Sequence, residues 1–288
     1  MNYFFRRVLK SHTACCSFIA LLITMPSGMV LGAEHTAEAG AQADEHRHFD
    51  ARVDFNRGFR LRPRATNLQA ITALTRQVPN LAVTYDDTTG AVRSLSNHTG
   101  YLTAAKRRQD VLAIALDYVK ANLPSLGLQP EDLKDYEITD QVYSKVTGAT
   151  HIYLRQRHQG LPVFNGQLHV NVNRDGRVIS INNAFMPGLA SAVTTARAAT
   201  ARPRVDLPTA VMSAAQHLGM PLDRSPRTLR SARSLQDVTS VDPSGISLAP
   251  IEGRLMWLPV RQGVVRLVWN FQIHTLDEDR IYNFTVDT

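Results

Sequence analysis

The feature of this sequence that most limits its fold is a regular alternation of apolar and polar residues between positions 164 and 173. One set of side chains is apolar or small: Phe164, Gly166, Leu168, Val170 and Val172. The set between them is polar: Gln167, His169, Asn171 and Asn173. Because successive side chains of a strand point to opposite faces of a sheet, this pattern predicts a sheet with one buried and one solvent-facing surface.

Turn residues indicate further strands on both sides of this one. His151–Arg157 is a candidate strand that ends before Gln159–Gly160. On the other side, Arg174–Gly176 reverses the chain into Val178–Asn182. Short reversals that contain glycine join antiparallel strands. The region is therefore predicted to be antiparallel.

An amphipathic helix precedes this strand region. Its apolar residues recur at helical spacing over about 104–123, and Thr103 is its predicted N-cap. The predicted first turn carries the cations Lys106, Arg107 and Arg108. Positive charge is unfavourable near a helix N-terminus, so these three residues are expected to meet a partner.

The same order of elements occurs a second time. A helix is predicted from the cap Asp206 to Gly219, and the strands Leu255–Val260 and Val265–Ile273 follow it. A helix packed across the apolar face of an antiparallel sheet is the economical way to bury both. The sequence therefore predicts an α+β fold built from two helix-on-antiparallel-sheet modules.

The predicted organisation of the chain begins with a leader. Cations between Arg6 and Lys10 precede an apolar stretch at 14–31, which is the order typical of a secretory signal, and cleavage is expected after Ala33. A retained membrane anchor is the alternative, which the Pro-Ser-Gly interruption at 26–28 disfavours. The predicted segments are a leader at 1–33, a mobile tail at 34–48, a first module at 49–186, a linker at 187–206 and a second module at 207–288, expected to be truncated at its C-terminal end.

Composition narrows the function of the exported product. Both cysteines, Cys15 and Cys16, lie in the leader, so no disulfide, cysteine nucleophile or thiolate metal site is expected after cleavage. Removing three leader cations from the 32 Lys and Arg leaves 29 against 25 Asp and Glu, a net charge of +4. Because Phe59 is the one aromatic residue among the arginine runs at 57–64 and 197–233, no nucleic-acid partner is expected, and an acidic protein partner fits better. No membrane association is expected after leader cleavage.

The sequence carries no recognisable catalytic motif. The H-E-x-x-H zinc helix, the G-x-S-x-G elbow, the phosphate-binding loop and the dinucleotide-binding G-x-G-x-x-G are all absent. His46 and His48 lie in the predicted tail, where a solvated segment is favoured over a metal site. His151 and His169 on neighbouring strands suggest a two-histidine metal site, but exposed surface histidines are favoured. We therefore expect no enzyme activity in this chain, and no metal or cofactor.

Two further groups have a functional and a structural interpretation. Asp277–Asp279 could supply paired catalytic acids, but their place between two strands favours an acidic turn. Trp257 and Trp269 could stack on a ligand. Since Trp269 is in phase with the apolar face of its strand, core packing is favoured.

The segment from His151 to Asn182 resembles the fungalysin/thermolysin propeptide (FTP) domain. The core of this resemblance is Gln156, Gly160, Pro162, Val163, Asp175 and Gly176. Downstream, the segments around Trp257 and Trp269 resemble the PepSY-like second half of a fungalysin propeptide. The resemblance spans about 49–288, and it implies two cystatin/PepSY-like modules with these eight residues in structural positions.

The resemblance implies a secreted propeptide that keeps a zinc metallopeptidase inactive and assists its folding, in cis in a zymogen precursor or in trans. In that family the final strand continues into the catalytic domain, whereas this sequence ends at Thr288 before any zinc ligand. One alternative is the N-terminal fragment of a secreted metalloendopeptidase precursor. A second alternative is a cell-envelope binding module unrelated to peptidases.

A wide partner-binding surface is expected rather than a pocket. The candidate interface consists of the predicted cationic run and the polar side of the sheet: Lys106, Arg107, Arg108, Gln167, His169 and Asn171.

Overall fold

The computed structural model describes residues 3–7, 49–195 and 203–288. The predicted tail, and the predicted leader apart from residues 3–7, lie outside these residues. The described strands are β1 (Tyr3–Arg7), β2 (Leu81–Tyr85), β3 (Val92–Asn97), β4 (Tyr136–Tyr143), β5 (Ala149–His158), β6 (Leu161–Asn173), β7 (Val178–Asn183), β8 (Thr228–Arg230), β9 (Thr239–Val241), β10 (Ile251–Arg261), β11 (Val264–His274) and β12 (Ile281–Asp287). The described helices are α1 (Ala51–Phe55), α2 (Ala65–Gln77), α3 (Val111–Ala121), α4 (Leu123–Leu126), α5 (Leu189–Thr195) and α6 (Leu207–His217), with a 3₁₀ turn at Pro130–Leu133.

The strands form one curled sheet, and the mixed α+β class is confirmed. In the N-terminal half, neighbouring strands follow the order β2-β3-β7-β6-β5-β4, and every pair is antiparallel. The predicted hairpin at 164–182 is present, with Val170 paired to Ile152 on one side and Ile181 on the other. A second hairpin joins β2 and β3. In the C-terminal half, β9, β10, β11 and β12 are neighbours, and β1 pairs with the outer edge of β12.

Two hydrophobic clusters fill the side of the sheet that faces α3, α5 and α6. The first packs α2, α3 and α4 on the N-terminal half and includes the fully buried Ile152 and Leu168. The second packs α5 and α6 on the C-terminal half around Trp257 and Phe284. None of the described helices is long and apolar enough to cross a membrane.

Helix α3 begins seven residues later than predicted. The predicted cap Thr103 instead accepts a hydrogen bond from the Val178 backbone N–H at 2.9 Å. Asp110 is the actual N-cap and accepts from the Ala113 N–H at 2.9 Å. A long-range bond to the sheet therefore holds the segment before Asp110 outside the helix, and Lys106 lies in that segment.

The two halves join through β6 and β10, which run parallel with Val163 opposite Trp257. A bulge in β6 makes this junction, because the register with β5 shifts and Asn165 adopts a positive φ of 55°. The bulge reverses the alternation, so Phe164 leaves the face of Leu168 and packs with Leu258 and Val268 on the other side of the sheet. The prediction that Phe164 shares the face of Leu168 was therefore wrong, because a bulge shifts the phase of a strand.

Two segments bridge the halves in ways that alternation does not indicate. Phe49 and the short helix α1 precede the N-terminal half in sequence, yet Phe49 packs against His217 of α6 with ring centroids 5.2 Å apart. The predicted linker at 187–206 contains α5, whose Leu189 and Val193 are buried in the second cluster. The predicted domain boundaries stay predictions, and residues 196–202 lie outside the described part of the chain.

Candidate functional site

The candidate site is the face of the sheet opposite α3, α5 and α6, which we call the open face. On β6, the polar residues Gln167, His169 and Asn171 line it, while the alternating apolar positions are fully buried on the other side. This alternation arises from the strand geometry that the sequence indicates. Lys106, Arg107 and Arg108 lie elsewhere, beside the turn that follows β6. The six predicted interface residues therefore fall in two places.

A small polar network covers the part of the open face formed by β5, β6 and β7. The Asn171 carboxamide lies between two neighbours: its Oδ1 is 2.5 Å from His151 Nδ1, and its Nδ2 donates to Ser180 Oγ at 2.9 Å. The His169 ring stacks on Tyr153 with centroids 4.2 Å apart. Its side chain is half-buried rather than fully exposed, and its buried Nε2 has no hydrogen-bond partner among the described residues.

Burial controls the charge of His169. Desolvation lowers the pKa of this imidazole below its usual 6.5, and the neighbouring His151 lowers it further. His169 is therefore neutral at pH 7. The described residues contain no group of three or more His, Cys, Asp or Glu side chains that could hold a metal ion.

A groove of about 580 Å³ crosses the open face where the two halves meet. We call it the junction groove. Arg155, Phe164 and Gln167 line its N-terminal side. From β10 and β11 it receives Arg254, Met256, Asn270, Gln272 and His274. The groove therefore offers an apolar floor with cationic groups, amide groups and the Glu252 carboxylate at its rim, which suits an extended peptide segment or a protein loop.

The cations on the two sides of the junction groove are held differently. Arg155 Nη1 and Arg157 Nη1 both donate to the Glu137 carboxylate, at 3.2 and 3.1 Å. Arg254 is exposed and makes no ion pair with any described residue. The groove thus has one neutralised arginine and one available arginine.

Gln156 attaches the segment that leads into the C-terminal half. Its side chain is buried, donates through Nε2 to the Met186 carbonyl at 3.0 Å and accepts from the Met186 N–H at 2.7 Å. Close by, buried Asp132 accepts from the Gly188 and Leu189 N–H groups at the start of α5. Burial raises the pKa of Asp132, while these backbone donors oppose the shift.

Trp257 and Gly160 also lie at contacts between the halves. Trp257 is fully buried, and its Nε1 donates to the His158 carbonyl at 3.0 Å. Gly160 has a φ of 77° in the β5–β6 turn, and Gln236 of the other half packs against it. Pro162 pairs with Arg157 at the base of the same turn. Trp269 lies in the second cluster, with its Nε1 donating to the Val205 carbonyl at 2.8 Å.

Asp175 and Gly176 form the reversal at the far end of β6, where the chain before α3 meets the sheet. The Asp175 carbonyl accepts from the Lys106 N–H at 3.0 Å, and its carboxylate accepts from Arg107 Nε at 3.1 Å. Gly176 has a φ of 72°, and a Cβ there would lie 2.7 Å from the Lys106 carbonyl oxygen. Only glycine fits this close approach.

The predicted acidic group lies away from the open face. Asp277 lies in the turn before β12, where its carboxylate accepts from the Thr275 hydroxyl at 2.5 Å. That hydrogen bond lowers the pKa of Asp277, as the acidic-turn interpretation requires. His46 and His48 lie outside the described residues.

Sequence reasoning missed the C-terminal contribution to the junction groove. Alternation in β10 places Arg254 and Met256 on the face opposite the buried residues. Nothing in the sequence, however, indicates that β10 pairs with β6. Such pairing between distant segments leaves no local signal.

Comparison with known proteins gives a family assignment for part of the chain. Residues 134–185 match the Fungalysin/Thermolysin Propeptide Motif. The chain is similar to the extracellular metalloproteinase MEP of Leptosphaeria maculans, at 26% identity over 166 residues, covering 58% of this chain and 24% of that protein. It is 29% identical over 164 residues to the extracellular metalloproteinase mep of Aspergillus flavus, covering 57% of this chain and 24% of that protein.

These relatives are much longer than the present chain, which spans about a quarter of the length of the curated relatives it matches, 24% in each case. The matched motif covers β4 to β7, which include Gln156 and the N-terminal side of the junction groove. Together, the motif and the similarity to fungal extracellular metalloproteinases identify a fungalysin-type propeptide region in this chain.

Proposed function

We propose that this chain is an exported propeptide-type protein that inhibits a fungalysin- or thermolysin-like zinc metallopeptidase and assists its folding. The observation that carries the proposal is the FTP motif at 134–185, whose strands form the open face and one side of the junction groove. The chain itself supplies a binding surface in this proposal and no catalytic group. The peptidase catalytic domain is the partner, joined in cis in a precursor or bound in trans.

The open face supports a binding role. It extends across both halves, and of the helices that the structure describes only α1 packs against it, with Ala51 beside Phe164 and Leu258. A stable protein interface buries about 1,600 Å² in total, which requires a wide surface of this kind. The contacts between the halves hold this surface in one shape, and a preorganised surface loses less entropy on binding.

The proposed folding role follows from the same binding. A protein that binds the native state of a peptidase, and not its unfolded chain, stabilises that native state by mass action. Inhibition and folding assistance therefore require one surface rather than two.

Each half also fits the proposed two-module arrangement. Helix α3 packs on the antiparallel strands of the FTP region, and α6 packs on β10 to β12 with Asp206 capping it. We propose that the C-terminal half is the PepSY-like module.

A second candidate has a specific observation in its favour. Because the chain spans only 24% of the length of its relatives, it could be one part of a secreted metalloendopeptidase precursor. In that case the same surface acts in cis. Sequencing the reading frame beyond codon 288 distinguishes the two arrangements, since a precursor continues in frame to an H-E-x-x-H helix.

The proposal is tested by measuring how the purified exported chain changes the activity and the refolding yield of a fungalysin-type metallopeptidase. Micromolar chain should inhibit hydrolysis of a protein substrate and raise the yield of active peptidase after dilution from denaturant. An unchanged activity together with an unchanged refolding yield would overturn the proposal.

A matched pair of variants assigns the inhibition to the open face. Gln167→Trp with Gln272→Trp fills the junction groove, and should weaken inhibition at least about tenfold, the effect of about 1.4 kcal/mol of lost binding energy. Gln69→Trp with Gln77→Trp makes the same change on the exposed side of α2 and should leave inhibition unchanged. Equal inhibition by the two double variants would place the interface elsewhere.

A further inference from the structure

Three segments meet at the end of the sheet farthest from the junction with the C-terminal half. The turn after β6 contacts the segment before α3, since the Lys106 N–H donates to the Asp175 carbonyl at 3.0 Å. The same turn contacts the β4–β5 turn, because the Arg174 side chain packs where a Cβ on Gly148 would lie, 3.6 Å away. Arg174 lies eleven residues beyond Val163, which corresponds to about 36 Å along a strand.

This meeting of segments gathers positive charge, and we call it the basic end. Its six cations are Lys106, Arg107, Arg108, Lys145, Arg174 and Arg177. Within the same segments, 98–110, 144–148 and 173–178, the carboxylates are Asp110 and Asp175, which leaves a net charge of +4. The net charge predicted for the whole chain after leader cleavage is also +4, so the rest of that chain has equal numbers of cationic and anionic residues.

The carboxylates of the basic end are already engaged. Asp175 pairs with Arg107, and Asp110 caps α3. Arg108, Lys145 and Arg174 are exposed and form no ion pair with any residue that the structure describes. Like charges held together without neutralisation repel, so this arrangement is unfavourable in the isolated chain and favourable beside negative charge.

Exposed aromatic and apolar side chains accompany these cations. The Arg177 guanidinium lies 5.1 Å from the centroid of the Tyr101 ring. In and beside the β4–β5 turn, Tyr143 is 57% exposed and Val146 is 96% exposed. Arginine and tyrosine are enriched in protein–protein interfaces, whereas a surface that binds only a polyanion needs no exposed valine. The composition of the basic end therefore favours a folded protein partner.

We infer that the basic end binds an acidic surface on the peptidase catalytic domain, as a second contact separate from the junction groove. This inference rests on the proposed inhibitory function and adds the kind of surface that the partner presents. Opposite charges steer two proteins together, so the basic end acts mainly on the rate of association. The junction groove supplies little of this steering, because Glu137 bonds Arg155 and the Glu252 carboxylate lines the groove together with Arg254.

The test compares two double charge reversals in the full chain. Arg108→Glu with Arg174→Glu changes the basic end, and Arg227→Glu with Arg233→Glu changes two exposed arginines of the C-terminal half. None of these four arginines is ion-paired with a described residue, so neither change breaks a salt bridge. Association rates with a fungalysin-type catalytic domain are measured by surface plasmon resonance at about 0.01 M and about 1 M ionic strength, where the screening lengths are about 30 and 3 Å.

The basic-end variant should associate about tenfold more slowly than wild type at low ionic strength, and the difference should vanish at high ionic strength. The control variant should associate within about twofold of wild type. Equal rates for wild type and the basic-end variant would overturn the inference and leave the inhibitory function intact. Absence of wild-type binding would defeat the proposed function itself, which is a distinct result.

Vesicles of phosphatidylglycerol provide a second probe with the same three proteins. The wild-type chain is not expected to bind these vesicles at physiological ionic strength. If the wild type binds them, and the basic-end variant loses vesicle binding while keeping its rate with the peptidase, the basic end is a site for anionic lipid and the inference is wrong.

Discussion

At the scale of single residues, the buried motif residues Gln156 and Trp257 make hydrogen bonds inside the scaffold. Gln156 satisfies both backbone groups of Met186, and Trp257 bonds the His158 carbonyl from a fully buried position. These two motif residues therefore join the halves, whereas Asp175 and Gly176 form the turn at the far end of β6. Gln167 and His169, by contrast, lie on the open face because side chains alternate along β6.

Replacing Gln156 tests this interpretation. Gln156→Leu leaves the buried Met186 N–H and C=O without partners, and should lower the free energy of unfolding by about 2–4 kcal/mol. Gln141→Leu, at an exposed position on β4, should change it by less than about 0.5 kcal/mol. Urea denaturation measures both. Equal stabilities for the two variants would show that Gln156 is not a structural link.

Gly176 provides a second test, because Gly263 shares its backbone conformation but has open space around it. Gly176 has a φ of 72° and Gly263 a φ of 75°, but only Gly176 lies against backbone, at the Lys106 carbonyl. Gly263→Ala should cost about 1 kcal/mol from the left-handed conformation alone. Gly176→Ala should cost about 2–4 kcal/mol, because the close contact adds to that strain. Matching thermal denaturation midpoints for the two variants would contradict the close approach.

His169 should make stability depend on pH. Its pKa is lowered in the folded chain, so well above pH 6.5 it is neutral in both states and contributes no pH dependence. As the pH falls below 6.5, the unfolded chain binds the proton first, and the folded state loses stability until the pH passes the lowered pKa. His169→Gln should remove this loss, as measured by urea denaturation at a series of pH values. An identical decline in variant and wild type would rule out His169 as its source.

At the scale of elements, sequence patterns predicted the helices and hairpins whose structure depends on neighbouring residues. The hairpin at 164–182 and helix α6 with its cap Asp206 follow from alternation, turn residues and helical spacing, and the structure contains them. The predicted start of α3 was wrong, because the Thr103 hydroxyl accepts a hydrogen bond from Val178, which lies 75 residues further along the chain. Likewise, the side of the sheet on which Phe164 lies depends on the bulge at Asn165, beside the point where β6 pairs with β10.

The open face shows the same division between local and distant causes. The polar side of β6 was predictable, because polar and apolar residues alternate along the strand and each type occupies one face. The junction groove was not, since it requires β10 and β11 to come beside β6. The basic end was predictable only in part: the sequence shows Lys106–Arg108 as a run, but Lys145 and Arg174 join it through turns that are distant in sequence.

At the scale of the whole molecule, a continuous sheet should couple the two halves. The Val163–Trp257 pairing and the Gln156–Met186 bonds pass from one hydrophobic cluster to the other. Because both tryptophans lie in the second cluster, their fluorescence reports on the C-terminal half. The two halves are therefore expected to unfold together.

A core variant in the N-terminal half tests this coupling. Leu168→Ala removes a fully buried side chain from the first cluster, and should destabilise that half by about 2–5 kcal/mol. The tryptophan transition and the far-UV circular dichroism transition should shift by the same amount. Leu229→Ala, at a residue 58% exposed, should move neither. A shift in circular dichroism with an unmoved tryptophan transition would show that the halves unfold independently.

The central claim concerns the whole molecule: the chain binds and inhibits a fungalysin-type metallopeptidase through its open face. The most direct measurement is the residual activity of such a peptidase as the full chain is added at a peptidase concentration well above the dissociation constant. We predict a linear loss of activity that ends at one chain per peptidase, and a return of activity when the junction groove is blocked by Gln167→Trp with Gln272→Trp. Full peptidase activity at a micromolar excess of the wild-type chain would contradict the account.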